Sequence, residues 1–124
     1  MNQIFKSQNA RNLRAYAKEK YGDELEFLWE KFPKNAILRK KKNKKWYAAF
    51  CVINKTQLGL QEEGLVEIVN LKLDPQDVLA FVDNKTYFKA WHMNKKHWIS
   101  ILLEGETLSL QELCRFLDES YALA

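Results

Sequence analysis

The parts from which most catalytic sites are built are scarce in this sequence. Its 124 residues include two cysteines, two histidines and four glycines. Cys51 and Cys114 stand alone, so they form neither a disulfide framework nor a CxxC motif. Among apolar neighbours they read as buried, inert thiols. The glycines are scattered, which excludes a glycine-rich phosphate loop. No serine lies in a GxSxG context. No apolar run approaches the length of a membrane span. The opening residues, MNQIFKSQNARNLR, lack the apolar stretch of a secretion signal, so a cytoplasmic protein with no membrane partner is expected. There is no internal repeat and no low-complexity linker. One domain over residues 1–124 is expected, with residues 1–8 as a flexible N-terminal extension. A composition of 47% hydrophobic and 29% charged residues excludes a disordered chain.

Acids are missing from two long windows. Residues 31–60 carry nine of the chain's twenty Lys and Arg and none of its sixteen Asp and Glu. Residues 84–103 carry four lysines and again no acid. The net charge of +4 therefore hides a strong asymmetry, which favours an anionic partner, nucleic acid being the commonest.

Periodicity supplies the elements. Residues 9–21 place Leu13, Tyr16, Ala17 and Tyr21 on one helical face, with Gly22 as the stop. AILR (36–39) and WYAAFCVIN (46–54) read as two strands of a hairpin whose basic tip surrounds Asn43. VEIVNLKL (66–73) reads as a third strand. Asp74 and Pro75 mark the N-cap and first position of a short helix ending near Asn84. YFKAWHM and HWISILL read as two more strands. Ser109 and Glu112 have capping-box spacing, and Leu110, Leu113, Cys114, Leu117 and Tyr121 form the stripe of an amphipathic helix. Runs of strands bracketed by helices predict an α+β fold. The expected form is a two-layer sandwich, with the N- and C-terminal helices on one face of an antiparallel sheet and two basic hairpins protruding.

Three constellations compete for function. His92 and His97 flank Lys95 and Lys96. With Asn94-Lys95 as the turn they would be cross-strand partners, Cβ atoms roughly 5 Å apart. Zinc needs three or four ligands, however, and this window supplies no Cys, Asp or Glu. The expectation is no metal, and imidazoles that hydrogen-bond the turn backbone. Catalysis has no motif behind it either. The acids of Glu104-Gly105-Glu106 and Asp118-Glu119 read as solvated faces, so no enzyme and no cofactor are expected. The third constellation is RKKKNKKWY, where six of eight residues from Arg39 to Trp46 are basic. A solvated tip is the plain reading of such a run. Aromatics beside both acid-free turns, Trp46, Tyr47, Trp91 and Trp98, add a stacking capacity that suits nucleic acid, although strand aromatics also fill cores.

Together, RAYAKEKYGDELEFLWEKFPKNAILRKKKNKKWYAAF, KTQLGL, VEIVNLKLDPQDV, HMNKKHW, LLEGE and LDESYALA resemble the MmcQ/YjbR family, from about Arg14 to Leu123. The resemblance implies a two-layer α+β fold similar to frataxin and to secretion chaperones. It also implies DNA binding through a double wing, here Lys40 to Lys45 and Asn94 to Lys96. Lys40 and Lys42 stand where relatives often carry His and Asp, which weakens a metal and strengthens an anion. Frataxin-like iron binding is not expected, because basic hairpins replace the acid-rich surface it needs. The combined expectation is a DNA-binding protein of weak sequence preference, monomer or homodimer. Lys40, Lys41, Lys42, Lys44, Lys45, Lys95 and Lys96 would hold phosphates, Arg39 would reach a groove, Asn43 and Asn94 would shape the tips, and Trp46 and Trp91 would stack, with Trp98 in the core. The alternative is a protein-interaction or chaperone-like module for an acidic protein.

Overall fold

Helix α1 (Gln8–Tyr21) begins where the Ser7 side chain accepts the Ala10 N–H. It ends at Gly22, whose φ of 73° closes the last turn onto the Lys18 carbonyl, a conformation glycine takes without strain. Five strands follow: β1 (Asn35–Arg39), β2 (Trp46–Asn54), β3 (Leu65–Lys72), β4 (Tyr87–Lys89) and β5 (Trp98–Leu102). A short helix α2 (Pro75–Phe81) and the long α3 (Leu110–Leu123) complete the chain. This computed structural model describes residues 5–104 and 108–124, so the expected solvated face of Glu104-Gly105-Glu106 lies largely outside the described residues. Among them, no helix is long and apolar enough to cross a membrane.

The sheet is antiparallel throughout, in the order β1-β2-β3-β5-β4. Its main core lies on one face, where Leu13 and Ala17 of α1 and Leu113, Phe116 and Leu117 of α3 meet Leu38, Phe50, Val69, Leu71, Ile99 and Ile101. The expected α+β architecture, with terminal helices over one face of the sheet, is therefore present. A smaller cluster of Cys51, Ile53, Val66 and Ile68 occupies the other face, the alternation a strand imposes. Ser120 ties the layers: its Oγ donates to the Tyr47 carbonyl at 2.6 Å and accepts the Lys72 N–H at 2.8 Å.

Four expectations change in detail. Residues 1–4 of the expected flexible extension lie outside the described residues. Residues 5–8 are fixed: Phe5 is buried, and the Glu67 carboxylate accepts the Lys6 and Ser7 N–H groups. Helix α2 stops at Phe81 because the Asp83 carboxylate gathers the N–H groups of Lys85, Thr86 and Tyr87 into a turn. Strand β4 stops at Lys89, since the Trp91 N–H turns to Ser100 Oγ and His92 takes a φ of 57°. At the start of α3, Ser109 caps Glu112 N–H at 3.1 Å, while the Glu112 carboxylate accepts the Tyr87 hydroxyl.

Candidate nucleic-acid interface

The strand register puts both basic turns at one end of the sheet. Leu38, Ala48, Leu71, Ile99 and Lys89 form one row across all five strands. The β1–β2 connection leaves after Leu38 and re-enters before Ala48. The β4–β5 connection leaves after Lys89 and re-enters before Ile99. Each therefore lies on the same side of that row. With β3 between the two hairpins, their midlines are three strand spacings apart, roughly 14 Å.

The first turn is built by its own backbone. Lys40 N–H donates to the Lys45 carbonyl, Lys44 N–H to the Lys40 carbonyl, and Asn43 Oδ1 accepts the Lys45 N–H at 3.0 Å. Asn43 thus shapes the tip, as expected. The cations divide into two sets. Arg39 is held by Glu26 through two bonds of 2.9 and 2.7 Å. Lys40 Nζ donates to the carbonyls of Tyr121 and Ala124, 4.7 Å from the Tyr121 ring centre. Lys41 Nζ donates to the Gly22 carbonyl at 2.7 Å and lies 3.7 Å from the Asp23 carboxylate. These three were expected to face DNA, yet each bonds to the protein, Lys41 while still largely exposed. The reason is that α1 and α3 both end at this edge, where unpaired carbonyls and the negative ends of the helix dipoles attract cations. Lys42, Lys44 and Lys45 are exposed and make no ion pair among the described residues.

The second turn is organised by Asn94. Its carbonyl accepts the His97 and Trp98 N–H groups, and its side chain accepts the Lys96 N–H at 2.9 Å. Lys95, Lys96, His92 and His97 are exposed. The histidines are not strand partners, because both lie in the connection. Neither imidazole makes a hydrogen bond among the described residues; Asn94 does the work expected of them. The His92 ring instead stacks on Trp91, centroids 4.0 Å apart. Among the described residues no three His, Cys, Asp or Glu side chains converge as metal ligands would.

The helix-free face of the sheet carries a groove of about 800 Å³ that runs from Trp46 and Trp91, beside the turns, toward Ile53 and Gln57. Trp29, Trp46 and Trp91 line it, with Phe32, Met93 and Cys51. Trp29 meets Trp46 edge-to-face at 5.6 Å. One wall is fixed by a buried polar pair: Ser100 Oγ donates to Asn70 Oδ1, and Asn70 Nδ2 donates to the Trp91 carbonyl at 3.3 Å. Trp46 and Trp91 thus face the groove rather than the turn tips. Trp98 is buried, as expected. Burial pushes the Cys51 thiol up to about 12, so it is protonated at neutral pH and a poor nucleophile.

Residues 18–123 match the model of the YjbR family. The chain belongs to the YjbR family. This YjbR chain is 37% identical over 108 residues to the uncharacterized protein YyaQ of Bacillus subtilis, covering 87% of this chain and 91% of that one. It is similar to a crystal structure of a Pseudomonas syringae protein at a TM-score of 0.86 and 32% identity, covering 99% of this chain and 98% of the other. A Deinococcus radiodurans crystal structure, at a TM-score of 0.68 and 21% identity over 92% of this chain and 76% of the other, shares the fold.

Sequence reasoning missed part of the groove of this YjbR chain. Trp29, Lys31, Phe32 and Lys34 lie in a stretch with no helical or strand period, joined to the sheet by the bridge of Glu26 to Ile37 and by the Val52 N–H donating to the Lys34 carbonyl. The one available cue was a Trp and a Phe beside Pro33 in a segment that no element claims.

Proposed function

We propose that this YjbR-family chain is a non-enzymatic, cytoplasmic protein that binds duplex DNA through phosphates, with weak sequence preference, as monomer or homodimer. One observation carries the reading: the two acid-free turns share one end of the sheet and present five exposed lysines with no ion pair among the described residues, Lys42, Lys44, Lys45, Lys95 and Lys96. Their separation of roughly 14 Å is close to the ~12 Å width of the major groove, so two such turns can act as wings on one duplex. Phosphate contacts fix position and carry no base information, which accounts for the weak preference.

The test is anisotropy of a labelled duplex across a salt series. With about five phosphate contacts, log affinity should fall against log salt with a slope near −4.5. A flat salt response would dismiss the reading.

The second reading, an acidic protein partner at the same end, is favoured by Leu79. This residue is 83% exposed on α2, which starts just beyond that end of β3. A partner retained after nuclease treatment, and released by Leu79→Ser, would favour it.

A further inference from the structure

We infer that the groove on the helix-free face of the sheet is a binding site for unpaired bases of single-stranded nucleic acid. The inference rests on the anion-binding reading of the adjoining turns and adds the class of strand the protein holds.

Three features converge. First, the walls are aromatic: Trp29, Trp46 and Trp91 come from three separate segments and all line one groove. Stacking on indole is sequence-tolerant, since every base has a π face, and a paired base cannot offer that face. Second, the charge suits a nucleotide. Lys31 and Lys34 are exposed at the groove, and among the described residues no Asp or Glu lines it. An apolar ligand without charge would have no use for such a rim, and a cation would be repelled by it. Third, the groove is continuous with the turns. Trp46 follows Lys45 directly, and Trp91 to Met93 belong to the second turn. A strand held by the turn lysines can therefore continue onto the sheet face. The volume of about 800 Å³ falls within the range of ligand sites and accommodates a nucleotide. The wall is preorganised as well, because Asn70 and Ser100 clamp the Trp91 backbone from beneath.

The experiment uses the whole chain and two probes. Oligothymidine of about eight nucleotides, long enough for one site of this kind, is followed by quenching of intrinsic tryptophan fluorescence at ~100 mM salt. A labelled duplex is followed by anisotropy. The variants are Trp29→Ala and the exposed pair Lys31→Glu with Lys34→Glu, each checked by thermal melting.

Expected is saturable quenching by the oligonucleotide, weakened about tenfold in both variants, with duplex affinity held within about twofold. If Trp29→Ala does not fold, the lysine pair decides alone. Duplex binding without quenching overturns the groove assignment and leaves the duplex reading standing. Quenching that both folded variants retain places the strand elsewhere and also overturns it. An acidic peptide that quenches where the oligonucleotide does not would assign the groove to a protein ligand and overturn it. Loss of both probes' binding in the wild type rejects this inference and the duplex reading together.

Discussion

Lys40 donates to the last carbonyls of α3, whereas Lys44, four positions later, faces solvent at a φ of 61°. Composition gives the two the same weight, but their surroundings give them different work. Lys40→Ala should remove hydrogen bonds to helix-terminal carbonyls and cost about 1 kcal/mol. That cost should show as a lowered melting temperature with the DNA salt slope unchanged. Lys44→Ala should do the reverse, reducing the slope by about one and leaving the melt in place. A matching pair of responses would mean that the turn acts as one undivided patch. The thiols behave in the same context-dependent way. Cys51 is buried and its thiol is pushed up to about 12, while Cys114 is half-buried and raised by burial, with Asp118 adding to it. Iodoacetamide should label Cys51 only once the protein is unfolded by denaturant; labelling at the native rate of a free thiol would show that the groove floor opens.

At the scale of elements, α1 and α3 are joined by one carboxylate. Asp118 accepts Tyr16 Oη at 2.6 Å, Tyr21 Oη at 2.5 Å and an ion pair from Lys20 at 3.0 Å. Burial works to raise its carboxyl, but the bonds from Tyr16, Tyr21 and Lys20 outweigh it and hold the group below the usual carboxylate range. A folded-state value below the unfolded one means that the charged form favours folding. The contribution is complete above about pH 4, where the unfolded carboxyl is ionised. It is lost as pH falls through the lower, folded value. Melting followed from pH 7 to pH 2.5 should decline in that acid window, and Asp118→Asn should lower the neutral plateau and flatten the decline. The stripe of α3 is readable in part from its spacing: Leu113 and Leu117 are fully buried, whereas Leu110 is exposed and Phe116, outside the stripe, is in the core; Leu117→Ala should cost about 2–5 kcal/mol by chemical denaturation. Strands β1, β2 and β3 are equally readable, because short apolar runs rich in aromatic and β-branched residues suit a sheet, and β2 and β3 are buried at nearly every position. Strand β4 is shorter than its sequence suggests. Ala90, Trp91 and His92 have strand-like composition, but the Asn70–Ser100 pair holds the Trp91 backbone and His92 takes a φ of 57°, which together draw that stretch off the sheet. The groove is legible in fragments, since Trp46 and Trp91 flank the acid-free turns in sequence but the fold has to bring Trp29 beside them. Likewise, the run RKKKNKK marked the basic turn, while the helix ends that claim Lys40 and Lys41 are set by tertiary packing.

Across the whole molecule, the alternation of strand direction decides whether the two turns cooperate. An order of β1-β2-β3-β5-β4 with every pair antiparallel leaves both connections at one end. Had one hairpin entered the sheet reversed, the same lysines would face opposite sides and no single duplex could meet both. Cooperation has a quantitative signature. Replacing Lys42, Lys44 and Lys45 with Gln removes about three contacts, and the salt slope should move from near −4.5 to near −1.8. Replacing Lys95 and Lys96 with Gln should bring it to near −2.7, and all five changes together to near zero. Lys85→Gln, at the opposite end of β4, should leave the slope where it was. Stoichiometry separates the two geometries further. Shared engagement gives one duplex of about twelve base pairs per protein by sedimentation, and each turn's variant weakens that one complex. Independent engagement gives two duplexes per protein, each variant abolishing one site while the other keeps its affinity. A two-duplex complex would break the single-interface model even with the slopes as stated, because it would mean that turns roughly 14 Å apart act as separate anchors rather than as the two jaws of one site.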